Sequence, residues 1–193
     1  NLDHALALAG VDTSKVEFIY PDNERGHDAV EAVARGDVDA ANIDIPFDLQ
    51  AKKRGLGALE LPSLPVIHNT TICASMDFVR ANEETVVAFL KALIEAVHFF
   101  KNEKQKSCAI LAREYAPLIG LDAEDEIEYL HEQWSRLLSP KPYPDPMAVW
   151  NLYDLDVAHD PDANSVAPLE VWDTHYVRKI DDSGFIDALY HRN

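Results

Sequence analysis

Between Ala34 and Phe47 the chain reads ARGDVDAANIDIPF, and its structural register changes three times in that stretch. A helix over Asp28 to Arg35 needs a residue with positive φ to close its last turn, and Gly36 stands there. Val38, Ala40, Ala41 and Ile43 form a short apolar run of the length of a buried strand. Pro46, with fixed φ and no N–H, suits the first turn of the next helix. The spacing therefore predicts a helix–strand–helix unit whose strand ends at Asn42, Ile43, Asp44 and Ile45. In open α/β sheets the carboxyl ends of strands are where ligands bind, so this end is a candidate site.

The unit recurs through the first third of the chain. Helices are predicted over Leu2 to Ala9, Asp28 to Arg35 and Pro46 to Arg54. Strands are predicted over Val16 to Tyr20 and Val38 to Ile43, with a short apolar segment near Ala58 to Leu61. Such alternation argues for an α/β class with a mainly parallel sheet covered by helices. Pro62-Ser-Leu-Pro65 then punctuates the chain, and Val66 to Met76 returns as an extended stretch. The domain division expected is residues 1–65, an α/β lobe, and 66–193, a return strand followed by helices.

The remainder reads as helical. Val86, Phe89, Leu90, Leu93, Val97 and Phe100 are spaced as one buried stripe, with Lys91, Glu95, His98 and Asn102 on the solvated face. Asp122 is placed to cap a helix in which Ile127, Leu130, Trp134, Leu137 and Leu138 share a face, and Trp134 reads as core. Pro140, Pro142, Pro144 and Pro146 make a stiff connection. Ala148 to Ala158, Pro168 to Ile180 and Phe185 to Tyr190 are three further helical pieces.

Composition limits function by exclusion. Seventeen basic residues against 34 acidic ones give a formal charge of −17, which disfavours a phosphate backbone as partner, so no nucleic acid is expected. No apolar run approaches the ~20 residues that a membrane span requires. Cys73 and Cys108 read as buried, unpaired small hydrophobes. No glycine-rich phosphate loop, HExxH pair, GxSxG elbow or CxxC pair occurs, so no catalytic residue, metal or cofactor is assigned. Asp160-Pro-Asp162-Ala-Asn164 opens like a calcium loop, but Ser165 replaces its glycine and Val171 its glutamate, which leaves a capping turn. The first helix, with Asn1 as cap and Gly10 as stop, reads as already under way, which leads us to expect chain preceding it.

Three segments carry a family resemblance: AGVDTSKVEFIYPDN, DAVEAVARGDVDAANIDIPF and TTICASMDFVRANEETVVAFLKALIEAV. Together they resemble the second lobe and return segment of ABC-transporter substrate-binding proteins of the nitrate, sulfonate and taurine type, with the related thiamine-pyrimidine (NMT1/THI5-like) group. The most specific piece is A-x-x-x-G-x-V-D-A, Ala32 to Ala40, followed by an acidic residue and Pro46. The family writes Glu-Pro directly; here Ile45 separates Asp44 from Pro46. The tail from Pro168 to Tyr190 resembles a C-terminal block of some members.

The resemblance implies a type II periplasmic-binding-protein-like fold lacking its N-terminal part. It also implies a small organic or anionic ligand held in a cleft faced by Asn23, Asn42, Asp44, His68, Asn69 and Thr70, and ABC permease subunits as partners. The expected location is the periplasm or, as a lipoprotein, the cell surface. Helix N-termini after Gly26 and at Pro46 would present free N–H groups to an anion without a basic side chain. Two other classes share the architecture: a decarboxylase or pyrimidine-synthesising enzyme with His68 or His27 as acid or base, and the effector domain of a transcriptional regulator. A lobe without its first strand exposes apolar faces, so self-association is expected as well.

Overall fold

The computed structural model describes residues 2–19, 26–59, 61, 71–155, 160–162, 165, 167, 170 and 172–191. Its helices lie where caps and stops place them. Helix α1 spans Leu2–Leu8 and closes at Gly10, whose φ is 81°. A 3-10 turn at Thr13–Lys15 is capped by Asp12, whose side chain accepts from the Ser14 N–H. Helix α2, Gly26–Arg35, ends at Gly36 with φ 78°, as the sequence predicts. Helix α3, Phe47–Lys53, follows directly on Pro46. Ser75 caps α4, Met76–Ala81, by accepting from the Phe78 N–H at 3.3 Å. The long α5, Glu83–Asn102, opens with two glutamates where the helix dipole favours them.

The later helices are α6 at Lys104–Ile110, α7 at Ala116–Ile119, α8 at Glu124–Leu137, α9 at Pro146–Leu155, α10 at His175–Asp182 and α11 at Phe185–Tyr190. Between α6 and α7 the chain widens into a π-helical turn, Leu111–Tyr115, in which the Ala116 N–H donates to the Leu111 carbonyl five residues back. Pro117 accounts for it: proline has no N–H to return to Arg113, and its ring excludes that carbonyl from the normal ladder. Helix α7 ends at Gly120, φ 74°, with the Leu121 N–H donating to the Ala116 carbonyl at 2.9 Å.

The α/β expectation is overturned. Among the described residues there is no strand and no sheet; the regular structure is helical. Residues 16–19 are irregular although Val16 is extended, at φ −103° and ψ 123°. Residues 37–39 bend and 40–44 run without a ladder. Extended dihedrals make a strand only when another strand supplies a hydrogen-bonded ladder, and among the described residues neither run is part of one. Residues 71–75 are likewise irregular up to the start of α4. Tyr20 and residues 66–70 of the predicted strands lie outside the described residues.

The chain forms two compact units, each assembled from two separate segments. One comprises Asn1–Pro62 and Glu103–Leu137. Its core joins Val30 and Phe47 to Ala116, Leu121, Ile127 and Leu130, with Ile43, Ile45 and Trp134 packed against it. Trp134 is thus a core residue, whereas Leu137, expected on the same face, is exposed.

The second unit comprises Ser63–Asn102 and Leu138–Asn193. Ile94 of α5, Ile180 of α10 and Ile186 of α11 form its core, each 1% exposed, with Val87, Leu90 and Tyr190 around them. The buried face of α5 is therefore turned by one residue from the predicted stripe: Val87, Leu90 and Ile94 face the core, and Phe89 is 53% exposed. His98, predicted to be solvated, is half-buried with its ring edge-on to Tyr190 at 4.7 Å. The proline-rich connection is tied down by Lys141, which reaches Asp181 at 2.7 Å and Asp187 at 3.1 Å, and by the Tyr143 hydroxyl, which donates to Asp181. Cys73 is exposed and Cys108 half-buried, both free, so the expectation of a buried thiol fails at Cys73.

Candidate functional site

Three contacts in the first unit fix the relation of α2 to α3. The backbone of Gly26 lies against the Phe47 ring, the His27 ring Nδ1 is 3.2 Å from Gln50 Oε1, and Arg54 is paired with Glu31. Residue numbers rise together along both helices, so α2 and α3 run parallel and their N-termini lie at the same end. The positive dipole ends of the two helices lie side by side and add, although at α3 the Phe47 and Leu49 N–H groups already donate to the Asp44 and Pro46 carbonyls. Asp28 and Asp48, in the two first turns, partly offset that charge.

The segment leading into α3 brings Asn42 and Asp44 to this end. Ile43 and Ile45 are partly buried against the core, while Asn42 and Asp44 are exposed. That is the period-two alternation of an extended chain, so the two polar side chains share the outward face. The Asp44 carbonyl accepts from the Phe47 N–H at 2.9 Å, which joins this segment to the first turn of α3. The Ile45–Pro46 peptide is cis.

Asp48 ties α3 to α8. Its Oδ2 accepts a short hydrogen bond from the Tyr129 hydroxyl and a second from Lys52 Nζ at 3.1 Å, while Oδ1 is buried without a hydrogen-bond partner among the described residues. The bond to the Asp48 carboxylate raises the Tyr129 phenol above its ordinary value, and burial adds to the rise. One turn away, Lys53 pairs with Asp125 at 2.7 Å and with the buried Glu126 at 3.4 Å. The hydrogen bond to Lys53 lowers the Asp125 carboxyl. A helix carrying the candidate segment is thus anchored at two successive turns.

Of the six residues expected to face a ligand, the structure brings Asn42 and Asp44 to one exposed face beside two helix N-termini. Asn23, His68, Asn69 and Thr70 lie outside the described residues. Gln50 joins His27 in lining the α2–α3 seam and had no signal of its own in the sequence. Only its place three residues after Phe47, on the face toward α2, could have marked it. Among the described residues no three His, Cys, Asp or Glu side chains are grouped to hold a metal ion, and no helix is long and apolar enough to cross a membrane.

Residues 1–107 match the family model described as NMT1/THI5 like, so more than half of the chain, the candidate segment included, falls within the match. The chain belongs to the NMT1/THI5-like family. That membership is consistent with a solute-binding protein; the family is mostly substrate-binding, and its THI5 member is a synthase. No curated protein and no solved structure matches the chain significantly.

Proposed function

We propose that this chain is a solute-binding protein that captures a small organic or anionic ligand at the polar end of the α2–α3 pair and delivers it to an ABC importer. The observation that carries the reading is the family match over residues 1–107, because it takes in α2, α3 and the Asn42–Asp44 segment between them. The geometry supports it: two parallel helix N-termini attract negative charge, and the exposed Asn42 amide and Asp44 carboxylate add directional polar groups. A ligand with both an acceptor and a donor or positive group suits this mixture better than a bare anion. Delivery to a permease places the protein in the periplasm or on the cell surface.

Calorimetry against nitrate, alkyl sulfonates, aminopyrimidines and aromatic acids tests binding. A ligand found in this panel should lose at least ten-fold in affinity on combined Asn42→Ala and Asp44→Ala substitution, since two polar contacts at about 1 kcal/mol each exceed that factor. Unchanged affinity in the double variant would remove this site from the proposal. Stimulation of transport by a reconstituted permease tests delivery.

A second reading follows from the synthase within the family. His27, exposed at the first turn of α2 and held near Gln50, would serve there as an acid, base or reacting group. Consumption of a bound aminopyrimidine or a new covalent adduct on His27, seen by mass spectrometry, would favour it over binding alone.

A further inference from the structure

We draw no further inference here: the strongest candidate, the uncovered Phe89, Ala92, Ala96 and Phe99 face of α5, carries nothing, because an antiparallel second copy would set Glu95 against Glu95 and nothing in the structure shows what covers it.

Discussion

Gly26 opens α2 with its backbone against an aromatic ring, and replacing it by alanine separates two opposing effects. In an open first-turn position with unstrained φ, Gly→Ala stabilises a protein by about 0.4–1 kcal/mol, because the unfolded chain loses freedom. Gly26 is not in the left-handed region, so that gain is available in principle. Packing opposes it. A Cβ at Gly26 would overlap Cδ2 of Phe47 and come within 2.6 and 2.7 Å of Cγ and Cε2. The ring has little room to retreat, being 7% exposed within the core that also holds Val30 and Leu130. Overpacking of this kind costs about 1–3 kcal/mol. The cost wins, and Gly26→Ala should lower stability by about 1–2 kcal/mol. Phe47→Ala removes Cγ, Cδ2 and Cε2 together, so in that background Gly26→Ala should become neutral or stabilising. The coupling between the two substitutions should then be about 1.5–3 kcal/mol. Urea unfolding followed by the fluorescence of Trp134, which packs on the same core, measures all four corners of the cycle. A wild-type background stabilised by Gly26→Ala, or an equal cost in both backgrounds, would refute the close approach of α2 to α3 and with it their parallel packing.

Tyr129→Phe deletes the donor to Asp48 and should cost about 1–2 kcal/mol in urea unfolding; a neutral result would mean that α8 does not anchor α3. Ile180→Ala, in the second core, should cost about 2–5 kcal/mol, and a cost below 1 kcal/mol would show that α5, α10 and α11 do not enclose it. An aromatic disulfide reagent should modify the exposed Cys73 quickly and Cys108 slowly, because burial pushes the Cys108 thiol up and leaves less thiolate at neutral pH. Cys73→Ser should leave only the slow phase; a surviving fast phase would contradict the assignment. The Glu83, Asp125 and Asp181 carboxyls are each held below their ordinary values, chiefly by hydrogen bonds to Lys179, Lys53 and Lys141 respectively. Lowered folded values mean that their contribution is present above the unfolded values near 4 and is lost as pH falls through the folded ones. Thermal midpoints should therefore drop between about pH 5 and pH 2, less steeply in high salt, and a flat profile there would count against these pairs.

Helix ends were legible because their chemistry is local. Gly10 and Gly36, read as helix stops, sit at positive φ at the ends of α1 and α2. The strands were not legible, because a run such as Val38 to Ile43 has strand composition whether or not a partner pairs with it, and partners are distant in sequence. At that segment Asn42 and Asp44 turn outward from Ile43 and Ile45, an alternation that an extended chain shows with or without a ladder. On α5 the sequence offers two adjacent apolar faces. Remote Ile180 and Ile186 select the one centred on Ile94, a choice that periodicity within α5 cannot express. The seam between His27 and Gln50 was hidden for the same reason, since it needs the direction in which α2 and α3 lie against each other.

Each compact unit is built from two segments, so the chain passes between units at 62/63, 102/103 and 137/138. During synthesis, Phe47 leaves the ribosome about 83 residues ahead of Leu130, the last buried residue of its core; at ~5–20 residues per second that is a wait of ~4–17 s. Until residues 103–137 follow, the apolar side of α2 and α3 lacks the Ala116, Leu121, Ile127 and Leu130 side of its core. The second unit waits in the same way, with Ile94 emerging long before Ile180 and Ile186. Neither core can close until the intervening segment of the other has been made. A nascent chain arrested between residues 62 and 120 should accordingly be bound by chaperones and cut readily by proteases, while one in which α11 has emerged should not be.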